Sequence, residues 1–380
     1  MTPLPDRPPQ KTQLLEAVPN ISLGRDTAAV DELVAAAGAA GAYVAHRDTS
    51  ASANRTVITL IGSPREVVAS CSALIDAASH LIDMRTHTGT HPCVGAVDVA
   101  PFVPIGDILG NISWADTGIT DVTPNHTSPH PTSASTASEA TPIDVSPATL
   151  ADAIESARTL ATWAAAKHHL PTFLYGAAAT IPAHQSLPFL RKGGMNELAR
   201  RLATGEIHPD AGPSRLHPTL GALITGAREI LIAYNIQLAT TDPKVATAIA
   251  RAIRTSGPPG RPHALPGLRA IGWYEEAHQC AEVSCNLLDY RTTGLRAVWD
   301  AVRAIAADYG CYPVSSDIIG LVPRAALYEG AESIVGEIRL NVCRPFEGEA
   351  RTVEAACWAA VKLQSFSRKP TATADCHLLG

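Results

Sequence analysis

The strongest constraint on the fold is an abrupt change of hydrophobic period after Gly62. Thr56-Val57-Ile58-Thr59-Leu60-Ile61 is a β-branched, strand-forming run that Gly62 closes. Ser63 then offers an N-cap and Pro64 a first helical position, and Val67, Cys71, Leu74 and Ala78 recur at helical spacing. A strand that hands over directly to an amphipathic helix needs a sheet with helices packed against it, so an α/β chain of α+β type is expected. The helix-start chemistry recurs at Asp242-Pro243, ahead of Val245, Ile249 and Ile253. Ser146-Pro147 reads as a third such start, before Leu150, Ile154, Ala157, Ala161 and Ala164 on one face. Strand character is expected at 94–103, 172–176, 222–225, 230–238, 268–274, 282–287 and 318–322. A helix is expected from about Gly294 to Asp308 and a short one over Val353 to Val361.

With 380 residues the chain is long enough for two cored units. A hydrophobic content of 46%, a charged content of 17% and a formal charge of −6 suit a soluble globular protein, not a nucleic-acid or anionic-membrane binder. No apolar run approaches the roughly 20 residues of a membrane span. The N-terminal stretch lacks the apolar core of a secretory signal. Cys71, Cys93, Cys280, Cys285, Cys311, Cys343, Cys357 and Cys376 form no CxxC pair and read as reduced thiols of a cytoplasmic protein. Asp116 to Ser146 is crowded with Thr, Ser, Pro and His and is expected to be a mobile insert.

Candidate chemistry concentrates in Leu81-Ile82-Asp83-Met84-Arg85-Thr86-His87-Thr88-Gly89-Thr90-His91-Pro92, a loop between a helix and a strand. His91 is the candidate general acid/base, with Asp83 or Asp98 as orienting carboxylate. The bland alternative is a pair of surface-loop histidines. His-x3-His also permits a metal reading, but Gly89 and Pro92 argue against the helix that this spacing needs, so no metal is expected. Asn20 and the polar run Asp48 to Arg55 adjoin strands, as binding residues or as a plain turn. Gly212-Pro213-Ser214-Arg215-Leu216-His217-Pro218 is a rigid, turn-rich segment able to present backbone N–H groups. Cys93 is either a nucleophile or a small buried hydrophobe.

Taken in order, these segments resemble the glutamate formiminotransferase family, the front half of formiminotransferase-cyclodeaminase. The resemblance rests on Val18-Pro19-Asn20-Ile21-Ser22 with Gly24-Arg25-Asp26, Asn54-Arg55-Thr56-Val57, Gly62-Ser63-Pro64, and Leu81-Ile82-Asp83-Met84. His87-x-Gly89-x-His91-Pro92 and Gly95-Ala96 to Pro104 continue it. Later pieces are Leu174-Tyr175-Gly176, Gly212-Pro213-Ser214, Gly226-Ala227-Arg228, Ile232 to Ile236, Ile271 to Tyr274, Val283-Ser284, Asn286-Leu287 and Gly320 to Pro323. Together they run collinearly from about Leu14 to Leu327.

The resemblance implies two α/β subdomains with facing sheets, helices outside and a ligand cleft between. It divides the chain into 12–190, carrying the insert 116–146, then 191–330, then a tail 331–380 of uncertain structure. It implies transfer of a formimino group between N-formimino-L-glutamate and tetrahydrofolate as co-substrate, in a cytoplasmic homodimer, with no cyclodeaminase part following. The catalytic histidine maps onto His91, with Asp48 and Asp83 as supporting carboxylates. Binding residues are then Asn20, Asn54, Arg55, His87, Cys93, Asp98, Tyr175, Asn235 and Asn286. The folate segment Gly212 to Gly221 adds Gly212, Pro213, Ser214, Pro218 and Gly221. The pattern departs from the family where Arg is usual after His-Pro; Cys93 stands there. Leu23, Ala177 and Gly193-Gly194 likewise replace family glutamates. These changes suggest a diverged member, the alternative being a folate-independent enzyme on a specialised metabolite, using Cys93.

Overall fold

The structure is a computed structural model, and it describes residues 12–89, 92–105, 145–330, 332–340, 351–357 and 359–360. The period change at Gly62 is realised as expected. Strand β4 (Arg55–Gly62) runs into a helix over Pro64–Leu81, whose Ser63 side chain accepts from the Glu66 amide while Glu66 accepts from the Ser63 amide. This capping box satisfies two helix-end donors and is worth about 1 kcal/mol.

Around β4 lie β1 (Thr12–Ala17), β2 (Asn20–Ile21), β3 (Tyr43–Ser50), β5 (Val97–Pro104), β6 (Val145–Pro147), β7 (Thr172–Gly176) and β8 (Leu223–Ala227). Their order is β6-β1-β4-β2-β5-β8-β7, with β3 paired to β4. Strand β1 holds both flanks of the polar insert: Leu15 pairs with Pro104 of β5, and Thr12 pairs with Val145 of β6. One face is covered by α1 (Thr27–Ala39), α2 (Pro64–Leu81) and α3 (Leu150–His168). Leu33, Leu74 and Leu160 there meet Leu15, Ile58, Leu60 and Phe102 in a fully buried core, each such side chain contributing about 1.5–3 kcal/mol. Two short helices, α4 (Leu187–Arg191) and α5 (Gly194–Ala203), cover the opposite face at its β7–β8 end, through Leu190, Leu198 and Leu202.

A second, antiparallel sheet has the order β10-β11-β9-β12, from β9 (Ile232–Leu238), β10 (Leu268–Glu275), β11 (Cys280–Leu287) and β12 (Pro313–Ile319). Its apolar face packs on α6 (Pro243–Ile253) and α7 (Leu295–Asp308). The other face carries Gln237, Trp273, Glu275, Glu282 and Asp317, and it turns toward the first sheet. The Ser52 hydroxyl donates to Glu275 at 2.8 Å, and a Cβ at Gly320 would stand 3.7 Å from the Thr59 hydroxyl. Near β3 and β4 the two sheets therefore approach each other through polar groups, with α1–α3 and with α6 and α7 on their far sides, the α+β arrangement expected. Residues after 331 join both units. Ile334, Ile338 and Leu340 enter the second core, while Val353, Ala356 and Cys357 pack on Leu14, Ile61 and Leu321. Backbone 353–357 is helical.

Several boundaries differ from those expected. Ser146-Pro147 is strand β6; the N-cap of α3 is Thr149, whose side chain and that of Asp152 form the capping box. Asp48 is in strand β3, not a loop, because Tyr43–Ser50 pairs along β4. The expected strand 318–322 begins at Pro313, where Ser315, Ser316 and Asp317 face polar partners rather than solvent. The 94–103 strand starts only at Val97. On sheet membership we place the subdomain division between Ala227 and Ile232 rather than at 190/191, since β7 and β8 belong to the first sheet. The mobility expected of the insert falls outside the described residues up to 144.

Glu16 of β1 is buried, and desolvation raises its carboxyl to about 7 despite the opposing Arg228 guanidinium. A carboxyl raised on folding binds more protons native than unfolded, so its contribution is present below its unfolded value of about 4.5 and is lost as pH rises toward 7. Glu16→Gln should therefore flatten the fall in stability between pH 4.5 and 7, by on the order of 1–3 kcal/mol. Urea unfolding of both proteins across that range measures it.

Candidate active site

Local backbone chemistry assembles the site at one tight turn. Ala51 to Asn54 joins β3 to β4, and Asn54 sits at φ 47°, a left-handed conformation that asparagine tolerates better than most residues. From there its buried amide reaches two other segments. Oδ1 accepts from the Gly24 and Arg25 amides at 2.9 and 3.3 Å; Nδ2 donates to the Thr88 carbonyl at 3.0 Å and lies 3.3 Å from His87 Nδ1. Arg25 closes the ring, donating to the Ala51 carbonyl and the Thr88 hydroxyl. Gly89 permits the approach: a Cβ there would lie 2.4 Å from the Ala53 carbonyl oxygen. The turn, the β2–α1 loop and the histidine loop are thus pinned to one another.

The cleft so formed is lined by Asn20, Ile21, Ser22, Ala53, Asn54, Arg55, His87, Cys93 and Asp98. His87 is half-buried, and desolvation together with the Arg25 charge lowers its imidazole, against a hydrogen bond to the Ser22 backbone. It is therefore neutral at pH 7 and able to accept a proton. Burial pushes the Cys93 thiol up, with Asp98 adding to the shift and Ser22 and Arg191 opposing it. Cys93 is a protonated thiol at neutral pH, a poor nucleophile. Asp98 is 2% exposed; it accepts from the Val94 amide at 2.7 Å and pairs with Arg191 at 2.8 Å. Desolvation raises its carboxyl, and Arg191 works against that. Arg191, at the end of α4, also donates to the Pro92 carbonyl. Arg55 stands among Asp48, Asp98, Glu275 and Arg191, its own value lowered chiefly by desolvation.

The structure brings together Asn20, Asn54, Arg55, His87, Cys93 and Asp98, all anticipated from sequence, with Asp48 interacting with Arg55. Asp83 is elsewhere: Arg85 grips it by Nε and Nη2 at 2.9 and 2.5 Å, which holds its carboxyl at about 2 and turns it to solvent. Tyr175 is buried on β7 beside Arg228. Gly221 bridges to Gly95 in the segment that leads from Cys93 to β5. A Cβ at Gly221 would lie 2.4 Å from the Val94 carbonyl, and the Thr219 carbonyl accepts from the Met84 amide. Gly212, Pro213 and Ser214 sit at the far end of that segment, where Gly212 packs on Leu170; Pro218 is exposed. Asn235 and Asn286 lie on the polar side of the second sheet, opposite Asp317 and Arg269. His91 lies outside the described residues. Arg191 and Ser22 are the participants that sequence reasoning did not single out. Ser22 lay inside a quoted motif, but nothing around Arg191 in the chain signals that α4 delivers it to Asp98.

Two facing sheets with a polar cleft at a histidine loop define a two-part α/β ligand-binding protein. Family descriptions then settle its relationship. The formiminotransferase domain, N-terminal subdomain, matches residues 14–115 and 121–228, and the formiminotransferase domain matches 233–355. The chain belongs to the formiminotransferase family, a family of transferases. It is 32% identical to the glutamate formimidoyltransferase of Streptococcus pyogenes, over 84% of this chain and 92% of that one. To the Thermoplasma acidophilum glutamate formimidoyltransferase it is 30% identical over 84% and 91%. To the rat formimidoyltransferase-cyclodeaminase it is 32% identical over 90% of this chain, spanning 60% of the rat protein. The two family segments meet between 228 and 233, where the sheets also divide. Among the described residues, no helix is long and apolar enough to cross a membrane.

Asn54→Ala removes the amide that ties three segments together, leaves the buried Gly24 N–H without its acceptor, and places alanine at positive φ. It should cost about 2–4 kcal/mol of stability. Chemical denaturation compared with wild type measures the loss; a change under 0.5 kcal/mol would show that the turn does not depend on this side chain.

Proposed function

We propose that the chain transfers a formimino group between N-formimino-L-glutamate, or a related metabolite, and tetrahydrofolate. The observation that carries this reading is the Asn54-centred cleft, in which His87, Arg55, Asp98 and Cys93 meet in a chain of this family. In the reaction, N5 of tetrahydrofolate forms a bond to the formimino carbon, the carbon–nitrogen bond to glutamate breaks, and glutamate leaves as its amine.

The protein must therefore take a proton from one nitrogen and return one to another. We assign this transfer to His91, on the family resemblance, with neutral His87, four residues earlier, as a hydrogen-bonding support held by Asn54. A formamidine carries positive charge as it reacts, and Asp48 and Asp98 near Arg55 supply carboxylates to that region. Donor carboxylates need a cation, which the family places after His-Pro. Here Cys93 occupies that position, and Arg191 brings a guanidinium to the same neighbourhood through its pair with Asp98. We read Arg191 as the substitute anion-binding group. The raised thiol of Cys93 favours this reading over covalent chemistry on Cys93. Segment Gly212 to Gly221, docked at Met84 and Val94, is our candidate wall for the folate.

Folded protein incubated with formiminoglutamate and tetrahydrofolate should yield 5-formiminotetrahydrofolate, detectable by liquid chromatography with mass spectrometry. His91→Ala should lower kcat by roughly 10²–10⁴-fold. Arg191→Gln should raise KM for the donor more than it lowers kcat. Absence of product together with absence of tetrahydrofolate binding would sink the assignment.

A further inference from the structure

The second sheet carries, on its polar face, a group of side chains that the transfer reaction does not use. His278 lies in the β10–β11 hairpin, Glu282 on β11 and Asp317 on β12. Each offers one ligand atom, and the three atoms lie within 4.8 Å of one another. None of them lines the cleft at His87. Glu282 is 1% exposed, and among the described residues no lysine or arginine forms an ion pair with it. Burying a carboxylate without a cation is costly, and desolvation raises the Glu282 carboxyl to about 7, so either a proton or a bound cation supplies the offsetting positive charge.

A fourth side chain points to what supplies that charge. Gln237 of β9 is fully buried, and its Nε2 donates to Glu282 at 2.6 Å and to Asp317 at 3.1 Å. Its Oε1 is buried with no hydrogen-bond partner, which normally costs about 1–3 kcal/mol. As placed, Nε2 rather than Oε1 faces the carboxylates; a half-turn of the amide exchanges the two nearly isosteric atoms and aims the oxygen between them, an arrangement that a cation there makes favourable. His278 likewise keeps a buried Nδ1 without a hydrogen-bond partner. Trp273 Nε1 donates to the remaining Glu282 oxygen at 2.8 Å and fixes the carboxylate's orientation.

We propose that His278, Glu282, Asp317 and the Gln237 carbonyl oxygen bind one divalent first-row transition-metal cation. One imidazole nitrogen and three oxygens suit Mn²⁺, Fe²⁺ or Zn²⁺, with bonds of about 2.0–2.2 Å. With such bonds, ligand atoms stand about 3–3.5 Å apart when adjacent and about 4.0–4.4 Å when opposite, all inside the 4.8 Å within which the three atoms lie. The ligands come from three strands and a hairpin, and only His278-x3-Glu282 is local.

The test is a titration of the full chain, stripped with EDTA and dialysed, with MnCl₂, reading free Mn²⁺ by electron paramagnetic resonance. One saturable Mn²⁺ per chain is expected, displaced by one equivalent of ZnCl₂, and at least tenfold weaker in both Asp317→Asn and His278→Ala. His278 is on a hairpin outside the core, so His278→Ala, checked by circular dichroism, decides the matter even where Asp317→Asn does not fold. No saturable Mn²⁺ binding by wild type, or unchanged affinity in folded His278→Ala, overturns the proposal.

Discussion

The geometry of the cleft depends on one primary amide. Asn54 holds four polar contacts across two loops that have no other regular pairing with its hairpin, and it does so from a left-handed backbone position. An aspartate of the same shape has no N–H to give the Thr88 carbonyl; a glycine keeps the backbone but loses every contact. The loop bearing the histidines is thereby fixed relative to β4, itself anchored in the middle of the first sheet. Stability and site geometry are for that reason the same property here.

Much of this was legible in the chain. Ser63-Pro64 and Asp242-Pro243 announced helices because a side-chain oxygen and a missing N–H are both local solutions to helix-end chemistry. Ser146-Pro147 misled for the same reason. The pattern was right in kind, but Thr149 with Asp152 three residues on makes the better cap, and the earlier pair is taken up by β1. Asp48 looked like loop because polar residues crowd after it, yet cross-strand pairing with β4 overrides that local preference. Among site residues, Asn20, Asn54, Arg55, His87 and Asp98 from the quoted segments meet in the cleft, while Tyr175, Asn235 and Asn286 stand on other strands. Asp83 pairs with Arg85, two positions along the chain, and does not line the cleft. Arg191 was invisible because only tertiary packing of a short helix relates it to Asp98.

The cleft also sets a half-buried thiol beside the Arg191–Asp98 ion pair. A thiol at 93 cannot bind a carboxylate, and its burial keeps it neutral. A guanidinium from another element approaches the same point, anchored by a buried aspartate that Arg55 also faces.

The pairing of β1 with both β5 and β6 has a consequence for how the chain tolerates change. The strands flanking residues 106–144 are seated on the same neighbour, three positions apart along β1. The ends of that excursion are thus brought together by the sheet, whatever lies between them. Closing such an excursion grows only logarithmically with its length, about 0.6 kcal/mol for each doubling. Both ends are therefore held in register by pairing to β1 itself, so the sheet that carries the site does not depend on the intervening chain to align them.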